Sequence, residues 1–314
     1  MKRYYRLLLL VVCGLSLAPT ASALTPQFIL QWGSGGTGPG QFDEAYGCEI
    51  EHDGNVLILD RRGKRLQRFS PKGVYIDEFR DPSWSNPSEL AINRSHMIYI
   101  SNPGCSCVQS FSPDGGQISS IGMPGTGDGE FETPTGLAFD QKDNLFVGDL
   151  SGRVQVFGPT GTFAGAAGSK GSEPGQINGP IWIAFDKRNN VYISDRGNNR
   201  VQKFTTRGEF LGMWGSGGSG LGQFSYPGGI AVSPDGNVYV VDTGNARVQI
   251  FDSDGSFLGQ FGSYGKKDGQ FLSPIGIGID AKGNIYVTDR IMNTVQKFSA
   301  VKRTTWAKLK ALFR

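Results

Sequence analysis

GQFSYPGGIAVSPDGNVYVVDTGNARVQIF, residues 222–251, decides the fold. GIAV is a short apolar run of strand character. SPDGN reverses the chain, and its Asp-Gly pair supplies the positive φ that a tight hairpin needs. NVYVVD alternates apolar residues and reads as a second strand. A small loop leads to RVQIF, a third strand, and DSDG turns the chain into SFLGQFG, a fourth. A glycine-rich segment then crosses to the next copy. One unit is thus four short antiparallel strands, a to d.

The pattern recurs at 129–157, 175–204 and 269–298, and in weaker form at 40–69 and 85–111. A period of roughly 45 residues is that of four-stranded propeller blades. The strand sets fall at 45–79, 86–122, 133–168, 179–215, 226–262 and 273–299. The abundance of glycine (47) and the presence of 16 prolines agree with many short strands and tight turns.

The last set lacks a strand d. FILQWGSGGTGPGQF (28–42) repeats FLGMWGSGGSGLGQF (210–224), which ends one blade and begins the next. FILQW therefore supplies the missing strand. The expectation is an all-β, six-bladed propeller of four-stranded antiparallel blades, closed by strand 28–32 completing blade 6. An open ring would leave an unpaired edge.

The 222–251 stretch resembles the NHL repeat of six-bladed propellers. The resemblance covers 28–299 and is strongest in blades 4, 5 and 6. Blades 1 and 2 depart from it: Ala45 replaces a proline, and NPGCSCVQSF replaces the DxxNxRVQxF segment. The resemblance implies interaction scaffolds, among them sensor ectodomains, assembly modules and RNA readers. It also takes in amidating lyases, with zinc-binding histidines near the channel, and calcium-dependent lactonase propellers. Asn293 stands where a lyase-type histidine ligand would be expected. Glu89 is the one acid placed at the mouth of a strand a, too few for a calcium site.

MKRYYR, the apolar LLLLVVCGLSLA and then ASA read as a secretory leader cut after Ala23. The domain reading is leader 1–23, propeller 24–300 and a basic segment 301–314. The last can form a short amphipathic helix, with Trp306, Leu309 and Phe313 on one face. It could dock on the propeller, on an anionic membrane as a peripheral contact, or on a partner. Export places the protein in the periplasm or outside the cell. Lys plus Arg number 31 against 28 Asp plus Glu, and Lys2, Arg3 and Arg6 belong to the leader. Lys302, Arg303, Lys308, Lys310 and Arg314 then leave the propeller itself slightly acidic. This argues against a nucleic-acid partner.

Asp60, Asp149, Asp195, Asp242 and Asp289 end strand b in five blades, and Arg65, Arg153, Arg200 and Arg247 follow in strand c. Repetition in blade after blade suits a structural pair rather than one active centre. Blade 2 has Asn102, and blade 6 has Thr294 in place of the arginine. His52 and His96 fall at a–b turns of neighbouring blades and lack a carboxylate partner, so no metal is assigned. No G-x-S-x-G stretch occurs and no catalytic residue is assigned. GSGGTGPG and GSGGSGLG lack the following helix of a phosphate loop and read as blade crossovers. Cys48, Cys105 and Cys107 permit one disulfide, with its pairing open.

Gly47, Gly136, Gly229 and Gly276 precede the apolar run of strand a, but Glu89 and Trp182 take that place in blades 2 and 4. With Tyr46, Thr135, Ile181 and Tyr226 they give one channel mouth an aromatic, partly polar centre. Arg61, Arg62, Lys64, Arg196 and Arg290 should ring the same face. Aromatics among arginines suit recognition, unless Trp182 only plugs the channel. The reading is a monomeric binding scaffold without a cofactor, recognising a protein, peptide or envelope glycan. The alternative is a metal-dependent lyase or lactonase-type enzyme.

Overall fold

Strand pairing resolves into six four-stranded antiparallel sheets. The computed structural model describes residues 25–179 and 181–301, with the side chain of Ile181 excepted. The leader, its cut after Ala23 and the basic segment from 302 onward lie outside the described residues. Five sheets are continuous in sequence: Ala45–Arg80, Leu90–Ile121, Pro134–Ala167, Ile181–Trp214 and Ile230–Phe261. The sixth combines Pro274–Ile279, Ile285–Asp289 and Thr294–Phe298 with Phe28–Trp32 on its outer edge. Phe28 faces Phe298, Gln31 faces Gln296 and Trp32 faces Val295. The expected closure by strand 28–32 is the observed one. Beyond the strand, Ser299 N–H donates to the Gln27 carbonyl at 2.8 Å, extending the seam.

The six innermost strands a touch their neighbours around a complete ring. Strands alternate their side chains between two faces, so each blade offers apolar rows to both neighbours. Six buried clusters result, one per interface. Cys48, Val56, Ile58, Phe69, Tyr286 and Val295 bridge blades 6 and 1, for example.

The glycine-rich crossovers have a fixed form. Gly35 pairs in parallel with Phe42, Pro124 with Phe131, Gly217 with Phe224 and Tyr264 with Phe271. Ser169–Lys170 and Gln176–Ile177 do the same between blades 3 and 4. The aromatic or aliphatic residue that ends each loop is fully buried. Gly218 shows why glycine recurs: its φ is +149°, and an added Cβ would collide with the Gln223 side chain. Between blades 1 and 2 the sequence RDPSWSNP replaces this loop, and buried Trp84 takes the place of its phenylalanine.

Candidate functional site

The aspartates at the ends of the b strands are buried and structural. Each accepts backbone N–H groups from the segment entering its own blade: Asp43 to Asp60, Asn178 to Asp195 and Ser225 to Asp242, at 2.7–2.9 Å. Arg65, Arg200 and Arg247 each donate Nε–H to the aspartate of their blade at 2.8 Å. Arg153 departs from the expected pairing. It reaches the Gly127 and Glu130 carbonyls instead, because its shorter b–c loop shifts it relative to Asp149. Asp289 has no arginine and caps the Ile291 and Met292 N–H groups. Asn102 accepts from Ser85 and donates to Gln109.

A second repeating contact escaped the sequence reading. Gln67, Gln155, Gln202, Gln249 and Gln296 each accept an N–H from a crossover glycine and donate to the carbonyl of the next residue. The invariant Gln after Val or Leu in strand c was the available signal.

At the channel mouth the assigned residues separate by depth. Tyr46 and Trp182 come from opposite blades, 1 and 4, yet their rings stack with centroids 6.4 Å apart at 29°. They are 8% and 5% exposed and seal the channel. Thr135 is also buried, its hydroxyl donating to the Gly148 carbonyl and its own carbonyl accepting from Ser101. Strand Ile181–Phe185 brings Ile181 to the ring. Burial pushes the Tyr46 phenol up, and Arg61, Arg196 and Arg290 oppose that shift.

Above this plug the three arginines converge. The Arg61 guanidinium lies 4.6 Å from the Tyr46 ring centroid. Arg196 lies 5.7 Å from that of Tyr226. Burial lowers the Arg196 pKa, and the nearby Arg290 charge lowers it further. Glu44 is the carboxylate near Arg61 and Arg290, at 4.0 and 3.9 Å, and it also pairs with exposed Arg62 at 3.2 Å. Arg61 Nε and Arg196 Nη1 are buried with no hydrogen-bond acceptor among the described residues. Tyr226 is 61% exposed and holds a left-handed φ of 49°. Lys64 turns away to the Pro82 carbonyl.

Glu89 is buried, and burial raises its pKa to about 8. A second acid lies deeper, two residues further along strand a of blade 1 than the place Glu89 holds in blade 2. Glu49, largely buried at the junction of blades 1 and 2, is raised to about 7, and the two carboxylates repel. Glu49 was legible in the repeat: Ala91, Ala138, Ala184, Ala231 and Gly278 occupy its place in the other blades.

The residues do not fit a lyase-type or lactonase-type metal. His52 and His96 touch, ring centroids 4.5 Å apart, but on a–b turns at the opposite end of the blades from Glu89. Asn293 is committed to backbone, accepting from Glu44 N–H at 2.8 Å. Among the described residues no three metal-ligating side chains gather. Cys105 and Cys107 form the disulfide, and Cys48 is a buried thiol in the interface of blades 6 and 1. A Cys48 bridge is thereby excluded.

The NHL repeat family matches residues 178–204 and 224–251. No curated protein matches the sequence. Among solved structures, a gluconolactonase from Xanthomonas campestris is 15% identical, with TM-score 0.65 over 89% of this chain and 96% of that one. A streptogramin B lyase is 15% identical, with TM-score 0.62 over 88% and 99%. An auxiliary nutrient binding protein from Bacteroides thetaiotaomicron is 13% identical, with TM-score 0.62 over 83% and 70%. At such identities the likeness is one of fold. With the repeat matched in blades 4 and 5 and the same strand order in every sheet, the chain is a six-bladed β-propeller that carries NHL repeats in those two blades.

Proposed function

We propose that this protein is a binding scaffold acting outside the cytoplasm, and that its b–c loop face takes a carboxylate-bearing partner, an acidic peptide or envelope glycan. The observation that carries the reading is the trio Arg61, Arg196 and Arg290: Glu44 lies near Arg61 and Arg290 but does not pair with Arg196, and two buried guanidinium N–H groups, on Arg61 and Arg196, have no acceptor among the described residues. Buried donors of this kind cost free energy until an acceptor arrives, and an anionic ligand supplies several at once. Exposed Tyr226 and Ile291 add apolar contact at the rim. Export rests on the leader sequence.

The test is titration of the purified protein with poly-L-glutamate and with polygalacturonate, using neutral dextran as control. Binding of an acidic polymer that weakens with salt, and is lost in R196A/R290A with the melting temperature retained, is the expected result. Equal binding by the double variant, or no binding of either polymer, would refute it.

An enzymatic reading is favoured by one observation, the Glu49–Glu89 pair, whose raised pKa values suit acid–base work near neutrality. Glu89 is 8% exposed and holds the same repeat position as the buried Trp182, so it is closed off from the open face, which is why binding is preferred. Turnover of a lactone or cyclic depsipeptide by the native protein but not by E89Q would reverse that preference.

A further inference from the structure

The six blade interfaces are built alike, and one of them lacks its central side chain. In blade 6 the last residue of strand d is Trp32, which lies over Gly73 of the next blade. Its ring sits 6.2 Å from that of Tyr286 on its own blade and 5.9 Å from Phe69 on the next. Trp214 of blade 4 repeats this arrangement over Gly255, 6.1 Å from Tyr192 and 5.8 Å from Phe251. Phe79, Ile121 and Phe261 hold the same position in blades 1, 2 and 5. In blade 3 the residue is Ala167, against Gly208. The two walls remain: Phe146 stands at the place of Tyr192, and Phe204 at that of Phe251. Between them is a cavity of about 500 Å³, open to solvent and mostly apolar. The hollow beside Ile121 differs, being lined by Ser110, Ser119 and Ser120.

We propose that the slot between blades 3 and 4 binds a planar aromatic molecule that carries a negative charge. The ring class follows from the sister interfaces, where an equivalent pair of walls holds an indole. The volume lies within the ordinary range of small-molecule sites. The charge follows from Arg207, on the c–d turn that lines the slot. Its guanidinium makes no ion pair or hydrogen bond among the described residues, whereas the neighbouring Glu209 carboxylate accepts from Thr205. Thr205 and Thr206 add hydroxyls at the same rim. The slot is separate from the arginine trio and does not depend on the reading given for it.

The probe is 8-anilinonaphthalene-1-sulfonate, with the neutral N-phenyl-1-naphthylamine beside it, added to the full chain. The expected result is saturable fluorescence at one site. A167W should abolish it for both probes while melting cooperatively at or above the temperature of the native protein, as a filled cavity should. A167L, a smaller change, should weaken both. R207Q should weaken the anionic probe about tenfold and leave the neutral one unchanged. Undiminished anionic binding in A167W and A167L would overturn the proposal. So would equal effects of R207Q on the two probes. Binding that appears only after residues 302–314 are removed would give the slot to the chain's own terminus and equally overturn it.

Discussion

Single residues hold this ring together by satisfying backbone as well as by pairing with one another. Gln249 accepts from Gly222 N–H at 2.9 Å and donates to the Gln223 carbonyl at 2.6 Å, both in the crossover loop. Q249A should cost about 1–3 kcal/mol, because it strands the Gly222 N–H and leaves the Gln223 carbonyl with the Arg247 guanidinium alone. Q109A should cost less, since Gln109 satisfies no backbone group: it accepts from the Asn102 side chain at 3.0 Å and donates to the Asp81 and Ser83 side chains, each at 3.5 Å. Denaturant melts of the two variants make the comparison. Glu89 gives a pH signature. Its folded pKa, about 8, exceeds the ordinary 4.5, so its contribution to stability is complete below pH 4.5 and is lost as pH rises towards 8. E89Q carries no charge to bury. Its melting temperature relative to native should rise by several degrees between pH 5 and pH 9, with Glu49 retaining a smaller drift in the variant. A flat difference across that range would contradict the burial of Glu89.

At the level of elements, the strand Phe28–Trp32 matters more than its length suggests. It pairs with Thr294–Phe298, and its Trp32 fills the interface with blade 1. Deleting 24–33 removes a seam and a core side chain together. The expected outcome is loss of the cooperative melt and aggregation, followed by light scattering. A truncated chain melting at the native temperature would show that the ring closes by other means. Strand Phe163–Ala167, FAGAA, is the opposite case: its pairing to strand c is intact, but it brings almost no side chain to the next blade.

Across the whole molecule, repetition makes exceptions readable. The blade boundaries were legible because Asp-Gly, Lys-Gly and their equivalents recur at the a–b turns and because strands b and c are apolar at fixed spacing. The ring of aspartates was legible as structural for the same reason. The candidate site was legible only in part. Arg61, Arg196 and Arg290 were placed on one face from topology, but their convergence on Tyr46, and the approach of Arg61 and Arg290 to Glu44, depend on contacts across blades 1, 4 and 6. Binding at this face should be local in its electrostatics. Raising NaCl from about 50 to 500 mM should weaken polyglutamate binding roughly tenfold, as a few screened charges would, and R62A should matter less than R196A in the same titration. Equal losses would move the contact outward to the rim.

The sequence by itself determined the blade count, the strand order and the closure by residues 28–32, since each depends on periodicity and on one strand missing from the last repeat. Only the tertiary structure decided that Tyr46 and Trp182 meet across the channel, that Glu49 joins Glu89, that Cys105 bonds Cys107, and that blades 3 and 4 part around an apolar slot. The reason is physical: hydrogen-bond ladders and turn geometry are local and leave a period in the chain. The neighbours of a side chain at a blade junction come from residues far apart in sequence, brought together when the ring shuts.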